Sequence, residues 1–249
     1  LKIKLLKIMP NNVEKMSFNY SPNFYPVKRS NKQIKYLIFH YTGMKNDHSA
    51  IKRLTSEKSK VSCHYYINKK GELIQMIPEL YVAWHAGKSK WKKDNLLNKN
   101  SIGIEISNPG HDYGYKKFTK AQIRCLIKLS KKLIKKYRIK KKNILGHSDI
   151  APLRKKDPGE KFPWKYLSTK NIGFWHKINL NKLKKIRGID IDFKMNIFLK
   201  KLKKFGYYTS YSDSNNLKKL IKSFQRRFRP ELVNGKLDKE CFEIIKSLI

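Results

Sequence analysis

Acidic side chains are scarce in this chain. Eighteen Asp and Glu stand against 58 Lys and Arg, giving a formal charge of +40 and a pI near 10.1. An excess of this size is expected either to meet a polyanion, such as nucleic acid, an anionic lipid surface or an acidic wall polymer, or to reflect a general preference for lysine on solvated faces. The distribution favours the second reading: 49 lysines against nine arginines are scattered through every segment, whereas a nucleic-acid footprint is clustered on one face. Cysteine is also scarce. Cys63, Cys125 and Cys241 lie far apart with no C-x-x-C pair, which excludes a disulfide framework and a thiolate zinc site and leaves three small core residues. No run of 18 apolar residues exists, so no transmembrane helix is expected. The opening LKIKLLKIMP is too short and too interrupted by lysine for a secretory apolar region, and no nearby cysteine could carry a lipid. A removed signal or a misplaced start leaves export undecided.

The 249 residues suffice for one larger domain and a small one, and 40% hydrophobic with 12% aromatic residues supplies a core. Residues 1–33 read as an extended lead-in, rich in Asn, Ser and Pro over 11–33. Ile34 to His40 has the β-branched and aromatic content of a buried strand that stops at a histidine. A short surface helix is expected over 46–59. VSCHYYINKKGELIQMIP then predicts two strands joined at Lys69-Lys70-Gly71. YVAWHAG reads as a loop holding Trp84 and His85, and SIGIEIS as another apolar strand. Period two puts Gly103, Glu105 and Ser107 on one face of that strand and Ile102, Ile104 and Ile106 on the other. From Thr119, an N-cap, to Tyr137 the apolar spacing follows the 3.6 period of a helix that packs on the sheet. NILGH is the next strand and delivers His147. Residues 176–190 are expected to form a linker, and 191–249 a small three-helix domain, with helical patterns at Phe193 to Phe205, Leu217 to Phe228 and Lys239 to Ile249.

Ile144 to Trp164, ILGHSDIAPLRKKDPGEKFPW, gathers an imidazole (His147), an ammonium (Lys155) and a carboxylate (Asp157) just after a buried strand end. A catalytic zinc takes three protein ligands and keeps an open position for water, and His40 at another strand end can supply the third. In that arrangement Glu105 can take the proton of a metal-activated water, and Lys155 can stabilise the oxyanion of a tetrahedral intermediate. Residue types alone reach only metal-assisted hydrolysis of an acyl derivative. Satisfied core histidines and an outward, solvated Glu105 remain the plain alternatives.

Taken in order, YLIFHYT, SCHYYINKKGELIQMIPELYVAWHAG, SIGIEI and GHSDIAPLRKKDPGEKFPW resemble the zinc-dependent N-acetylmuramoyl-L-alanine amidases of the type-2 amidase family. The tail FQRRFRPELVNGKLD resembles the helical peptidoglycan-binding module behind some of them. The resemblance implies an α/β fold, a mixed central β-sheet flanked by helices over residues 34–175, with one Zn2+ held by His40, His147 and Asp157. It implies Glu105 as catalytic carboxylate, Lys155 at the oxyanion, and Trp84, His85 and His64 on the substrate cleft. Some relatives carry Cys at the third ligand position and a Tyr in the strand that here reads SCHYY; Asp157 and Cys63 stand in those places. The implied reaction is hydrolysis of the amide between the lactyl group of N-acetylmuramic acid, or its 1,6-anhydro form, and L-alanine of the stem peptide. A monomer acting on peptidoglycan or muropeptide, without a specific nucleic-acid partner, is expected. The resemblance implies the cell envelope, the periplasm or secretion, and a cytoplasmic location stays open because the lipid-bearing cysteine expected of this domain arrangement is missing. The rivals are a non-catalytic peptidoglycan-recognition protein, which would lack a ligand, and a basic nucleic-acid binder.

Overall fold

The computed structural model describes residues 16–211 and 213–249; the opening LKIKLLKIMP and the rest of the lead-in through residue 15 lie outside them. The strands are β1 (Ser17–Phe18), β2 (Phe24–Tyr25), β3 (Tyr36–Tyr41), β4 (Tyr65–Ile67), β5 (Leu73–Gln75), β6 (Val82–Ala83), β7 (Lys90–Trp91), β8 (Asp94–Asn95), β9 (Ser101–Ile106) and β10 (Ile144–Gly146). The α-helices are α1 (Asp47–Thr55), α2 (Lys120–Tyr137), α3 (His147–Ile150), α4 (Trp164–Thr169), α5 (Leu180–Ile186), α6 (Met195–Phe205), α7 (Ser214–Phe228) and α8 (Lys239–Leu248). Six strands form one mixed sheet in the order β1-β5-β4-β9-β3-β10. β4, β9, β3 and β10 run parallel, while β5 turns back as the second arm of the expected hairpin, with Tyr65 opposite Gln75.

β3 and β9 lie inside the sheet, which is why they read as continuous apolar runs rather than as alternating ones. Their two faces bury different things. Leu37, Phe39, Ile102, Ile104 and Ile106 pack under α2 through Ile123, Leu126, Leu129 and Leu133. That helix starts where its chemistry requires: Thr119 Oγ1 accepts from the Gln122 backbone N–H at 3.1 Å, and the Gln122 side chain accepts from Thr119 N–H at 2.9 Å. The opposite face carries Tyr36, Ile38 and Leu145, which share a core with Phe198, Leu202, Phe224, Phe228, Ile244 and Ile245 of the C-terminal helices.

The C-terminal helices lean on the first domain through this shared core. The core continues into them, and α5 forms within the segment expected to be a linker, its Leu183 buried in the same cluster. A buried ion pair joins the two parts. Arg227 on α7 donates to Asp149 on α3, both side chains about 1% exposed, and its second nitrogen donates to the Ile144 carbonyl at 3.0 Å. Tyr207 donates to the other Asp149 oxygen. Removing one partner of such a pair strands a buried charge. Arg227→Ala is expected to cost about 3–5 kcal/mol, read as a lowered urea midpoint; a change within about 0.5 kcal/mol, the range of ordinary surface substitutions, would show that the pair does not anchor the helices.

Candidate active site

Four parallel strands end on one side of the sheet, where open α/β sheets place their ligands. His40 and Glu105 are direct cross-strand partners near the ends of β3 and β9, so their side chains leave the same face. His147 follows β10 as the first residue of α3. Asp157 arrives on the loop beyond, its carbonyl accepting from Ser148 N–H at 2.8 Å. Gly146 permits that approach, since a Cβ there would lie 2.6 Å from Pro158 Cδ.

The outcome is a triangle. His40 Nδ1, His147 Nδ1 and Asp157 Oδ2 lie 3.0 Å from one another along every edge, and all three residues are buried. Three edges of this length cannot all be satisfied by the protons two neutral imidazoles carry. A cation fits instead: bonds of 2.0–2.1 Å in a tetrahedral zinc site hold ligand atoms about 3.3 Å apart. Two nitrogens and one oxygen, without thiolate, are the donor set of a catalytic zinc rather than a structural one.

Electrostatics keeps the donors in ligating form. Burial opposes ionisation of Asp157, but His147 and His40 outweigh it and hold the carboxyl well below the usual carboxylate range. Burial, then His147, pushes His40 down to about 4, so its ring is neutral at neutral pH. Glu105 behaves oppositely. Burial first, and then the Asp157 charge, pushes its carboxyl well above the usual range, against the pull of Lys155. Its Oε2 is buried and has no hydrogen-bond partner among the described residues.

A cleft of about 530 Å³ opens above the triangle, walled by Trp84, Glu105, His147, Lys155 and Asp157, with Arg53 among the cations that line it. The structure thus brings together His40, His147, Asp157, Glu105, Lys155 and Trp84. Trp84 packs beside the exposed Tyr25, ring centroids 5.4 Å apart. Two residues expected to line the cleft differ. His64 is wholly buried away from it: its Nε2 lies 3.0 Å from both Arg29 and the Tyr81 carbonyl, and its Nδ1 accepts from Gly103 N–H at 3.0 Å. His85 reaches the cleft wall, but it is only 7% exposed and both ring nitrogens are engaged inside the protein. Cys63 is buried among Leu54, Tyr66 and Met76. Arg154, which the sequence reading passed over, lines the same cleft and donates to the carbonyls of Ala86 and Lys88. Nothing local in the sequence marks an arginine as a carbonyl clasp.

A buried His-His-Asp group that could hold a metal ion, at the strand ends of a mixed sheet and with a carboxylate beside it, is an arrangement suited to hydrolysis. Residues 30–160 match the N-acetylmuramoyl-L-alanine amidase family, to which the chain belongs. It is 36% identical over 233 residues to the N-acetylmuramoyl-L-alanine amidase AmiD of Escherichia coli, covering 87% of this chain and 83% of that protein. Against the 1,6-anhydro-N-acetylmuramyl-L-alanine amidase AmpD of the same organism it is 42% identical over 105 residues, 42% of this chain and 55% of AmpD. The solved structure of E. coli AmiD with anhydro-N-acetylmuramic acid-L-Ala-D-gamma-Glu-L-Lys superposes with a TM-score of 0.77 at 34% identity, covering 90% of this chain and 91% of that one. Pseudomonas aeruginosa AmpDh3 gives 0.76 at 30% identity over 98% of both chains.

Proposed function

We propose that this chain is a zinc-dependent N-acetylmuramoyl-L-alanine amidase that hydrolyses the amide between the lactyl group of N-acetylmuramic acid, or of its 1,6-anhydro form, and L-alanine of the stem peptide. The 3.0 Å triangle of two imidazole nitrogens and a carboxylate oxygen carries the reading, and the amidases it resembles supply the bond. His40, His147 and Asp157 hold one zinc ion. When bound, zinc polarises the scissile carbonyl and makes water a nucleophile at neutral pH. Glu105 takes the proton of that water on its unpartnered Oε2 and passes it to the leaving amine. Lys155 faces the oxygen that becomes negative, and a fixed cation there favours the transition state over the neutral amide. Trp84 offers an apolar wall. Arg53 and Lys156 supply positive charge for the carboxylates of a stem peptide.

Residues 34–175 form the catalytic unit in this reading and 191–249 a helical module fused to it through Arg227 and Asp149. The enzyme acts as a monomer in the cell envelope, which sedimentation and cell fractionation test. No described helix is long and apolar enough to cross a membrane. A non-catalytic recognition protein has no need of a complete donor set with a carboxylate poised beside it.

Mass spectrometry of products tests the function. Intact peptidoglycan and anhydro-muropeptide, incubated separately, should release a free stem peptide with an N-terminal L-alanine. Exhaustive chelation should abolish release, and added zinc should restore it. Release that persists after chelation would remove zinc from the mechanism.

A further inference from the structure

We infer that His85 and Ala86, adjacent residues on the loop after β6, act together as a clamp that fixes the tautomers of both histidines of the triangle, and that His85 is a positioning residue rather than a substrate contact. The inference rests on the zinc reading above and adds to it the residues that aim the lone pairs. The proton directions follow from two backbone carbonyls, which can only accept.

The first is the carbonyl of Leu97. Ser101 Oγ lies 2.5 Å from it and donates its one proton there. Ser101 Oγ therefore presents lone pairs to His85 Nε2, 3.1 Å away, so that nitrogen must carry hydrogen. A neutral imidazole has one N–H, which leaves His85 Nδ1 bare. It accepts from His40 Nε2 at 3.0 Å, and the His40 proton is thereby held on Nε2, with the Nδ1 lone pair turned toward His147 and Asp157.

The second is the carbonyl of Ala86, which accepts from His147 Nε2 at 3.1 Å and so bares His147 Nδ1. Arg154 Nη2 also lies 3.3 Å from His147 Nε2, but its two protons face the nearer carbonyls of Ala86 and Lys88. Asn98 Oδ1 holds the pair in place by accepting from the backbone N–H of both His85, at 3.1 Å, and Ala86, at 2.6 Å.

Gly103 is an independent sign that the His85 ring belongs here. A Cβ on that residue of β9 would fall 2.4 Å from His85 Cγ, so the strand omits a side chain where the ring lies. Two bare nitrogens 3.0 Å apart repel each other unless a cation sits between them. The clamp therefore turns both Nδ1 lone pairs toward the place a cation would occupy.

The test uses the full chain and measures zinc affinity by competition with a chromophoric chelator, together with the visible absorption of the cobalt(II) form. Partners behind a metal-bound histidine set affinity by about 10–100-fold. His85→Ala and Gly103→Ala should each weaken zinc binding by that factor and alter the cobalt spectrum, with KM for anhydro-muropeptide unchanged at saturating zinc. Ser101→Ala, at the far end of the relay, should move affinity the same way by less. His85→Asn, whose Oδ1 can replace the Nδ1 acceptor, should recover most of it. Melting of the metal-free variants separates loss of fold from loss of aim, and if His85→Ala fails to fold, Ser101→Ala carries the test. Parental zinc affinity and an unaltered cobalt spectrum in His85→Ala and Ser101→Ala, or a rise in KM alone, would overturn the clamp and return His85 to the substrate. If the parent chain itself binds no zinc, the zinc reading falls and the clamp falls with it.

Discussion

Glu105→Gln should lower kcat on anhydro-muropeptide by about 10²–10⁴-fold, the usual contribution of a positioned general base, while KM and zinc affinity stay near the parent. The amide keeps the shape and burial of the carboxyl but cannot accept the proton of the attacking water through a charged oxygen. Measuring kcat and KM separately matters, because a residue that merely lined the cleft would change KM first. The same variant has a stability signature. Burial raises the Glu105 pKa in the folded chain, so the fold prefers the neutral acid. That preference contributes stability below the unfolded carboxyl pKa of about 4.3, and the contribution is lost as pH rises through the folded value. Metal-free Glu105→Gln should therefore gain stability over the parent as pH climbs from 4 toward neutrality, while losing activity. A variant as active as its parent would refute the general-base role, and parallel pH–stability curves would refute the raised pKa.

Much of this site was legible because its chemistry interrupts regular patterns. His40 and His147 each end an apolar run, and Glu105 puts a carboxylate into a strand that otherwise holds only serine, isoleucine and glycine. Period two placed Glu105 opposite Ile104 and Ile106, and the register of β3 against β9 sets it beside His40. What escaped was everything decided by a partner from another element. His64 and His85 look alike in sequence, each a histidine next to an apolar or aromatic stretch. Burial under Arg29 removes the first from the cleft, and the Ser101 relay turns the second inward. The polar stretch at 176–190 shows no strong period, yet α5 forms there because Leu183 finds a pocket among the C-terminal helices. The two-residue strands β1 and β2 exist only through their pairing with β5 and β6, and no window of sequence contains both partners.

Asp157→Ala should have the largest effect of all. Asp157 supplies the triangle's only formal negative charge, and its Oδ2 touches both imidazoles at 3.0 Å. Without it two neutral nitrogens remain, too few ligands for a catalytic zinc. Substituting a partner behind a ligand costs about 10–100-fold in affinity, so losing a ligand itself should exceed about 100-fold, with activity below detection at micromolar zinc. The comparison with Glu105→Gln is the informative one. Both variants should be nearly inactive, but only Asp157→Ala should lose its metal on dialysis, and only there should excess zinc recover any rate. Asp157→Asn divides charge from donation: it keeps an oxygen at the same place, so an affinity between those of the parent and Asp157→Ala would show that charge and coordination both contribute. If Asp157→Ala retained zinc as firmly as the parent, the third ligand would have to be another residue, and Glu105, the cross-strand partner of His40, would be the one to examine.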